Sequence, residues 1–465
     1  MAAWTDMNDA TQINARYKWI MLALLSCAFF FHQADRVLFG LLTIPIQDEL
    51  HLTDLQIGWI NTSLFCTLAV TTPLAGILGD RFSRKWIITV SLIFWSLMTA
   101  CTGFVGGMCG LIFFRSIATG GGESFYAPSA FALIASHHKE TRSVALSVHQ
   151  SALYIGLMFS GALVAWALKL FGGWRMVFVA FGGLGFLLGV AFIWALKDGK
   201  TGTSETTGTT GTDGTAGTSG TEGTEGTTGT DGTSGTEGTK RTEGEIPSLP
   251  HSSTSSLSQS LRAYFCNPSA LLATAGLVAV VFANNAYLSW APKFVARKFG
   301  LSVGAAGSGT MLYHHLAAFA AIMVGAVLTD RFVKERPRFR LGLQAVSLLL
   351  GAPTLALIGF SPSIVGVWFA VVAYGLFRGL CEVNTHASLF DVVPPQHRST
   401  AEGLTTMIAF LVGSLSPLMI GALSDQYGMR GFEIGFLVLG IGYVAGAAAI
   451  IVSFFWTFKK NRIVE

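Results

Sequence analysis

The chain has 465 residues, of which 51% are hydrophobic and only 12% are charged; mean hydropathy is +0.55 and formal net charge is +4. A water-soluble globule cannot bury that much apolar surface, so the composition excludes a soluble enzyme or soluble binding module and places the chain in a membrane. The balance of 30 Lys and Arg against 26 Asp and Glu gives no support to a nucleic-acid partner.

Stretches of about 20 apolar residues match the roughly 30 Å hydrocarbon core of a bilayer. In chain order, a cytoplasmic tail at 1–17 precedes spans at 18–46, 54–79, 86–107, 109–135, 143–168 and 174–196. A second set follows at 265–292, 303–329, 339–360, 364–390, 400–424 and 434–457, before a cytoplasmic tail at 458–465. Backbone polar groups in hydrocarbon must bond within their own segment, so every span is expected to be a helix. The expected fold is an all-α membrane protein with twelve transmembrane helices, arranged as two six-helix pseudo-symmetric bundles over 18–196 and 263–457. The opening residues lack the pattern of a cleaved signal peptide, so the first span is expected to stay in the mature protein. Between the bundles, 197–262 turns abruptly to Gly, Thr, Ser and acids. It reads as a disordered cytoplasmic linker, because it has too few apolar side chains to offset its ordering entropy.

Positively charged loops are retained in the cytoplasm. With the N-terminus inside, twenty-one of the 30 basic residues are cytoplasmic and Lys169, Arg175, Lys293, Arg297, Lys298 and Arg430 are outside, leaving Arg36, Arg115 and Arg378 within the membrane. Both termini are therefore expected in the cytoplasm, with the protein in the inner (plasma) membrane. The six cysteines lack metal-site or framework spacing and read as small core residues, Cys101 and Cys109 being the pair to test for a bridge.

A charge in a span costs roughly 3 kcal/mol on insertion scales and usually marks a substrate or proton pathway. The first span carries His32, Gln33, Asp35 and Arg36, and the fourth carries Arg115, Glu123 and Tyr126. In the seventh, Asn284 and Tyr287 share a face just before Trp290, and in the tenth Arg378, Glu382 and His386 form a slowly drifting stripe. These residues are read as facing a central cavity. The plainer readings make Asp35 and Arg36 a structural ion pair, Arg378 and Glu382 a self-neutralising pair, and His386 a hydrogen-bonded interior residue. The eight-residue step from Arg115 to Glu123 misses a shared helical face by about 80°. Either the run Gly120-Gly121-Gly122 distorts the helix, or Arg115 serves elsewhere. Neither a phosphate-cradling G-x-x-x-x-G-K-[ST] segment, a nucleophile motif nor a placeable metal-ligand set is present, which argues against an enzyme, a cofactor and an ATP-driven pump.

The two halves echo each other, and transporters built from paired repeats hold substrate between them near the midplane. Gly76 to Lys85 reads Gly-Ile-Leu-Gly-Asp-Arg-Phe-Ser-Arg-Lys, and 326–334 reads Ala-Val-Leu-Thr-Asp-Arg-Phe-Val-Lys. Phe114-Arg115 recurs as Phe377-Arg378, and Arg142-Ser143 recurs as Arg398-Ser399.

The succession Gly76, Leu78, Asp80, Arg81, Arg84 and Lys85 resembles the loop signature of the major facilitator superfamily, and the resemblance covers the chain except for the linker. It implies a gating role for Gly76, Asp80, Arg81, Arg84 and Lys85, and for Asp330 and Arg331 in the second half, through charge links that break as the halves rock. Two branches match. Asp35-Arg36 and Gly122-Glu123 look like both; Arg398 to Glu402, Ser416-Pro417 and Gly421 to Asp425 look like the spinster branch, whose members move lysolipids or related amphiphiles. Trp290-Ala-Pro292 and Gly173 to Phe178 look like the organic anion:proton symporters, whose substrates include sugar acids. In both branches the first-span acid and the fourth-span Glu are implicated in proton coupling, which carries over to Asp35 and Glu123.

The leading expectation is a proton-coupled secondary transporter, a functional monomer in membrane lipid, moving a small organic anion by alternating access. His32, Arg36, Arg115, Tyr126, Asn284, Tyr287, Arg378, Glu382 and His386 would contact substrate. The alternatives are a spinster-like carrier of lysophospholipid or another amphiphile, and a receptor of transporter fold that binds without translocating.

Overall fold

Helix starts follow local chemistry in the computed structural model, which describes residues 2–138, 141–197 and 257–463. After α1 (Ala2–Leu41) and a short helix Thr43–Leu50, α2 (Asp54–Arg81) opens on a capping box in which Thr53 and Gln56 satisfy each other's backbone N–H. Ser83 caps α3 (Arg84–Thr102). The fourth span, α4, comes in pieces: Met108–Gly110, a π-helical run Leu111–Ala118, then Thr119–Glu123 and Tyr126–His137. Then come α5 (Arg142–Phe171) and α6 (Trp174–Ala195).

In the second half, Asn267 caps α7 (Pro268–Phe299), whose first position holds Pro268, where a missing N–H costs nothing. Ser302 caps α8 (Val303–Phe332), and Ser363 caps α10 (Ile364–Phe390), which follows α9 (Phe339–Phe360). The eleventh span, α11, is Arg398–Gly413 and Leu415–Tyr427, and α12 is Met429–Val452.

Among the described residues, eleven helices are long and apolar enough to cross a membrane. The twelfth expected span is α4, whose breaks leave each piece too short to qualify. Two sequence boundaries move. Of the expected linker, 198–256 lies outside the described residues, but 257–262 belong to a helix, Leu257–Phe265, whose Tyr264 is fully buried with its hydroxyl on Thr274. The seventh span continues past Pro292 to Phe299, so Lys293, expected in an outside loop, lies within α7 and is 3% exposed.

Packing repeats between the halves. α3 lies on α6 as α9 lies on α12, and α1 packs on α5 as α7 packs on α11. The seams between halves are α2 with α11 and α5 with α8, which are also symmetry mates, and α1 touches α7. Small residues set these approaches: Gly161 meets the backbone of Gly307, and a Cβ on Gly58 would stand 2.9 Å from Leu418 Cα. All six cysteines are free thiols, so Cys101 and Cys109 form no bridge.

Candidate functional site

The site in the first half is built where α1 crosses α4. Glu123 is 1% exposed and receives a hydrogen bond from Arg36 Nε at 3.3 Å; Arg115 Nη1 stands 3.9 Å and His32 Nε2 3.8 Å from its carboxylate. The π-helical run explains how Arg115 reaches it. Its wider i→i+5 turns absorb one extra residue, so an interval of eight returns to the face that seven would reach in an α-helix. Thr119 Oγ1, just past the run, donates back to Phe114 O within it at 2.8 Å. The distortion therefore precedes the glycines. Gly120 and Gly122 instead let α4 sink between α2 and α3, since Cβ atoms there would stand 2.8 Å from Leu64 Cδ1 and 2.9 Å from Phe94 Cδ1.

Arg115 is fully buried, and its Nη2 donates to the backbone oxygens of Asp35 and Arg36 at 2.8 and 2.9 Å. It thereby pins α1 at the level of the charges. Asp35 turns away from Arg36 toward α3, where Thr99 Oγ1 donates to its Oδ2 at 2.8 Å; its Oδ1 is buried without a protein partner. The simple Asp35–Arg36 ion pair is thus absent, and Arg36 is the partly accessible member, its side chain 22% exposed.

His32 Nε2 donates to Glu123 O at 3.3 Å, and its Nδ1 accepts from Gln33 Nε2 at 2.9 Å, which assigns a neutral Nε2–H tautomer. The ring stacks on Tyr126 and meets Trp95 edge-on. Tyr126 is fully buried with its hydroxyl on Leu25 O at 2.6 Å, so it supports His32 and has no face left for a cavity. Trp95 and Thr99, which sequence reasoning did not single out, complete the wall from α3; only long-range packing reveals them.

In the second half, Arg378 Nη2 pairs with Glu382 Oε2 at 2.9 Å, while its Nε and Nη1 are buried without hydrogen-bond partners. Tyr154 of α5 donates to Glu382 Oε1 at 3.2 Å, linking the halves. Tyr287 is fully buried, its hydroxyl on Thr310 O at 2.7 Å and its ring against His314 and Tyr374. It is packing inside the second bundle, not cavity lining. Asn284 on the same helix is half-buried with Oδ1 unpartnered. His386 leaves the Arg378 stripe and pairs with Glu402 of α11 at 2.5 Å.

Gating residues are unevenly placed. Among the described residues, nothing lies within 4 Å of a Cβ added at Gly76. The side chains of Asp80 and Arg81 lie outside the described residues. Arg84 Nη1 donates to Ala132 O at 3.3 Å, Lys85 lies over Trp86, and Asp330 and Arg331 are exposed, Arg331 over Phe332.

Apart from the Tyr154–Glu382 bond, the polar links between the halves gather toward the opposite end. Lys293 pairs with Asp54 and donates to Gln47 Oε1 at 2.5 Å. The Asp425 carboxylate accepts from Asp54 N and Leu55 N, both at 2.9 Å, so α11 of one half caps α2 of the other. Ser424 donates to Asp54 Oδ2 at 2.5 Å, and Arg297 stands 3.5 Å from Asp48. Further along the seam, Thr62 donates to Ser414 O at 2.6 Å. Beyond these links, Val70 and Leu74 of α2, Val144 and Val148 of α5 and Val327 of α8 are exposed. The seams between the two charged clusters are apolar, with Leu64, Phe65 and Leu68 against Phe410, and Tyr154 and Met158 against Ala318 and Phe319.

Residues 24–417 match the family described as the Major Facilitator Superfamily. Among curated relatives, protein spinster homolog 1 of Xenopus tropicalis is 24% identical over 446 residues, covering 92% of this chain and 77% of its own. Sphingosine-1-phosphate transporter SPNS2 of Danio rerio is 23% identical over 435 residues, covering 90% and 78%. The crystal structure of a bacterial homolog to the human lysosomal transporter Spinster, inward-facing and unoccupied, superposes with a TM-score of 0.77 at 19% identity, covering 96% of this chain and 99% of that one. The chain is an integral, multi-pass membrane protein that belongs to the major facilitator superfamily.

Proposed function

We propose that the protein moves an amphiphile with an anionic head by proton-coupled alternating access. The observation that carries this reading is Glu123, buried among Arg36, Arg115 and His32, with Arg36 alone partly exposed. An anionic head arriving at Arg36 competes with the Glu123 carboxylate, and protonating Glu123 removes that competitor. Proton and substrate are then bound in linked fashion. Asp35, tied to Thr99 and adjacent to the Arg115 contact, is the second proton-coupling acid. The apolar seams offer a path for a hydrocarbon tail between Arg36 and Arg378, which favours an amphiphile over a fully polar sugar acid. The relatives named as spinster proteins and a sphingosine-1-phosphate transporter support the same choice.

In this reading the Asp54–Lys293–Asp425 cluster is the closed outer gate, the Gly76 to Lys85 segment is the open inner gate, and both termini are cytoplasmic in the plasma membrane. Opening outward requires Lys293 to leave Asp54 and Asp425 to leave the α2 N-terminus. The test is uptake into sealed proteoliposomes of a labelled lysophospholipid and a labelled hexuronate, with and without an imposed pH gradient. Gradient-driven lysolipid flux that Glu123→Gln abolishes is the expected result. Hexuronate flux alone returns the protein to the small-anion reading, and binding without flux makes it a receptor.

A further inference from the structure

A basic cleft sits at the end of the second bundle, away from the charged clusters of the transport path. It is lined by Arg336, Pro337, Arg338, Phe458, Lys459 and Arg462. Its walls are fixed. Arg336 N donates to Phe332 O at 2.9 Å and Phe339 N to Arg336 O at 2.8 Å, which holds the turn around Pro337. On the other side Phe458 is 2% exposed, Asn461 Nδ2 donates to Ser269 Oγ at 3.0 Å, and Ile463 N donates to Asp391 O at 3.0 Å.

Four cations share this cleft, and among the described residues none has a carboxylate within 4.0 Å. Asp391, the acid of the adjoining loop, is already held by Arg340 at 2.7 Å. Four like charges gathered without a counter-charge among the described residues repel one another, so an anion that joins them is stabilised. Arg338 also lies over the Phe454 ring, and the next two residues, Phe455 and Trp456, stand 61% and 64% exposed on the π-helical turn that leads to Phe458. Exposed aromatic rings beside clustered Lys and Arg mark the depth of lipid headgroups.

We propose that this cleft binds the phosphate headgroup of an anionic glycerophospholipid, whose acyl chains lie along Phe455 and Trp456. The cations set the charge and the rings set the membrane origin of the ligand: a soluble phosphate meets the first and gains nothing from the second. The ligand is a bound membrane lipid outside the transport path, so the inference does not depend on which substrate crosses.

The full chain in detergent is exposed to an equimolar mixture of phosphatidylglycerol and phosphatidylcholine, and retained lipid is counted by native mass spectrometry. The expected result is preferential retention of phosphatidylglycerol, weakened about tenfold or more in Arg336→Gln/Arg462→Gln and kept in Arg336→Lys/Arg462→Lys, with no displacement by millimolar inorganic phosphate. Equal retention of the two lipids overturns the proposal, as does unchanged retention in the Gln variant. Displacement by inorganic phosphate also overturns it, making the cleft a soluble-anion site.

Discussion

Arg115 and Arg378 hold matching places in the two halves, each following a Phe in the fourth helix of its bundle, yet they do different work. Arg115 spends one guanidinium nitrogen on two backbone oxygens of α1 and faces Glu123 from the far side of a π-helical run. Arg378 lies in a regular α-helix and faces a carboxylate four residues on, while in both arginines Nε and Nη1 are buried without hydrogen-bond partners. One duplicated arginine is a strut between helices beside the buried acid, and the other pairs within its own helix. The difference teaches that the pseudo-symmetry of the chain fixes where charges lie in depth, while helix geometry fixes what each can touch.

The largest effect separates the two carboxylates. Glu123→Gln is expected to lower gradient-driven flux about a hundredfold, the scale of a coupling free energy near 3 kcal/mol, while Glu382→Gln keeps its pH-gradient dependence. Proteoliposome uptake reads both, and the opposite assignment would break the comparison. Next, Arg115→Lys should cost about 3 kcal/mol of stability, because one ammonium cannot replace the fork that spans two carbonyls and Glu123. Arg378→Lys should cost less than about 1 kcal/mol and raise KM; denaturation in detergent and substrate titration measure the pair.

The seam offers a smaller test. Asp54→Asn leaves the buried Lys293 without its charged partner and should shift the population toward the outward-open form about tenfold, near 1.4 kcal/mol. Alkylation of a cysteine placed at Leu418 by an impermeant maleimide, in a background free of native thiols, should quicken accordingly. The smallest effect lies at Glu49, outside the spans, whose carboxyl is held below its ordinary value of about 4.5 chiefly by the Arg175 hydrogen bond. A lowered acid stabilises the fold above its unfolded-state value and loses that contribution as pH falls through the lowered one. Lowering the pH from 6 to 3 should therefore lower Tm by about 2 °C more in the native protein than in Glu49→Gln.

Much of this was legible in the chain. Two spans, 339–360 and 364–390, coincide with α9 and α10, because caps and turn residues bound them tightly. Arg36 and Glu123, both singled out as charges within spans, stand 3.3 Å apart. The Trp95 and Thr99 wall, the Glu382 link to Tyr154 and the outer cluster around Lys293 were not legible, since each joins residues from separate helices. Lys293 in particular reads as a loop lysine after Pro292, and only α7 running on to Phe299 buries it.

The sequence by itself determined the membrane, the duplicated bundles and which spans carry charges within them, because hydropathy and helical spacing act within one segment. The tertiary structure decided which charges meet: the π-helical run of α4 carries Arg115 back to Glu123, and crossing helices turn Asp35 toward Thr99. Pairing across helices depends on rotation and approach, which the close packing of Gly120, Gly122 and Gly161 against neighbouring helices sets.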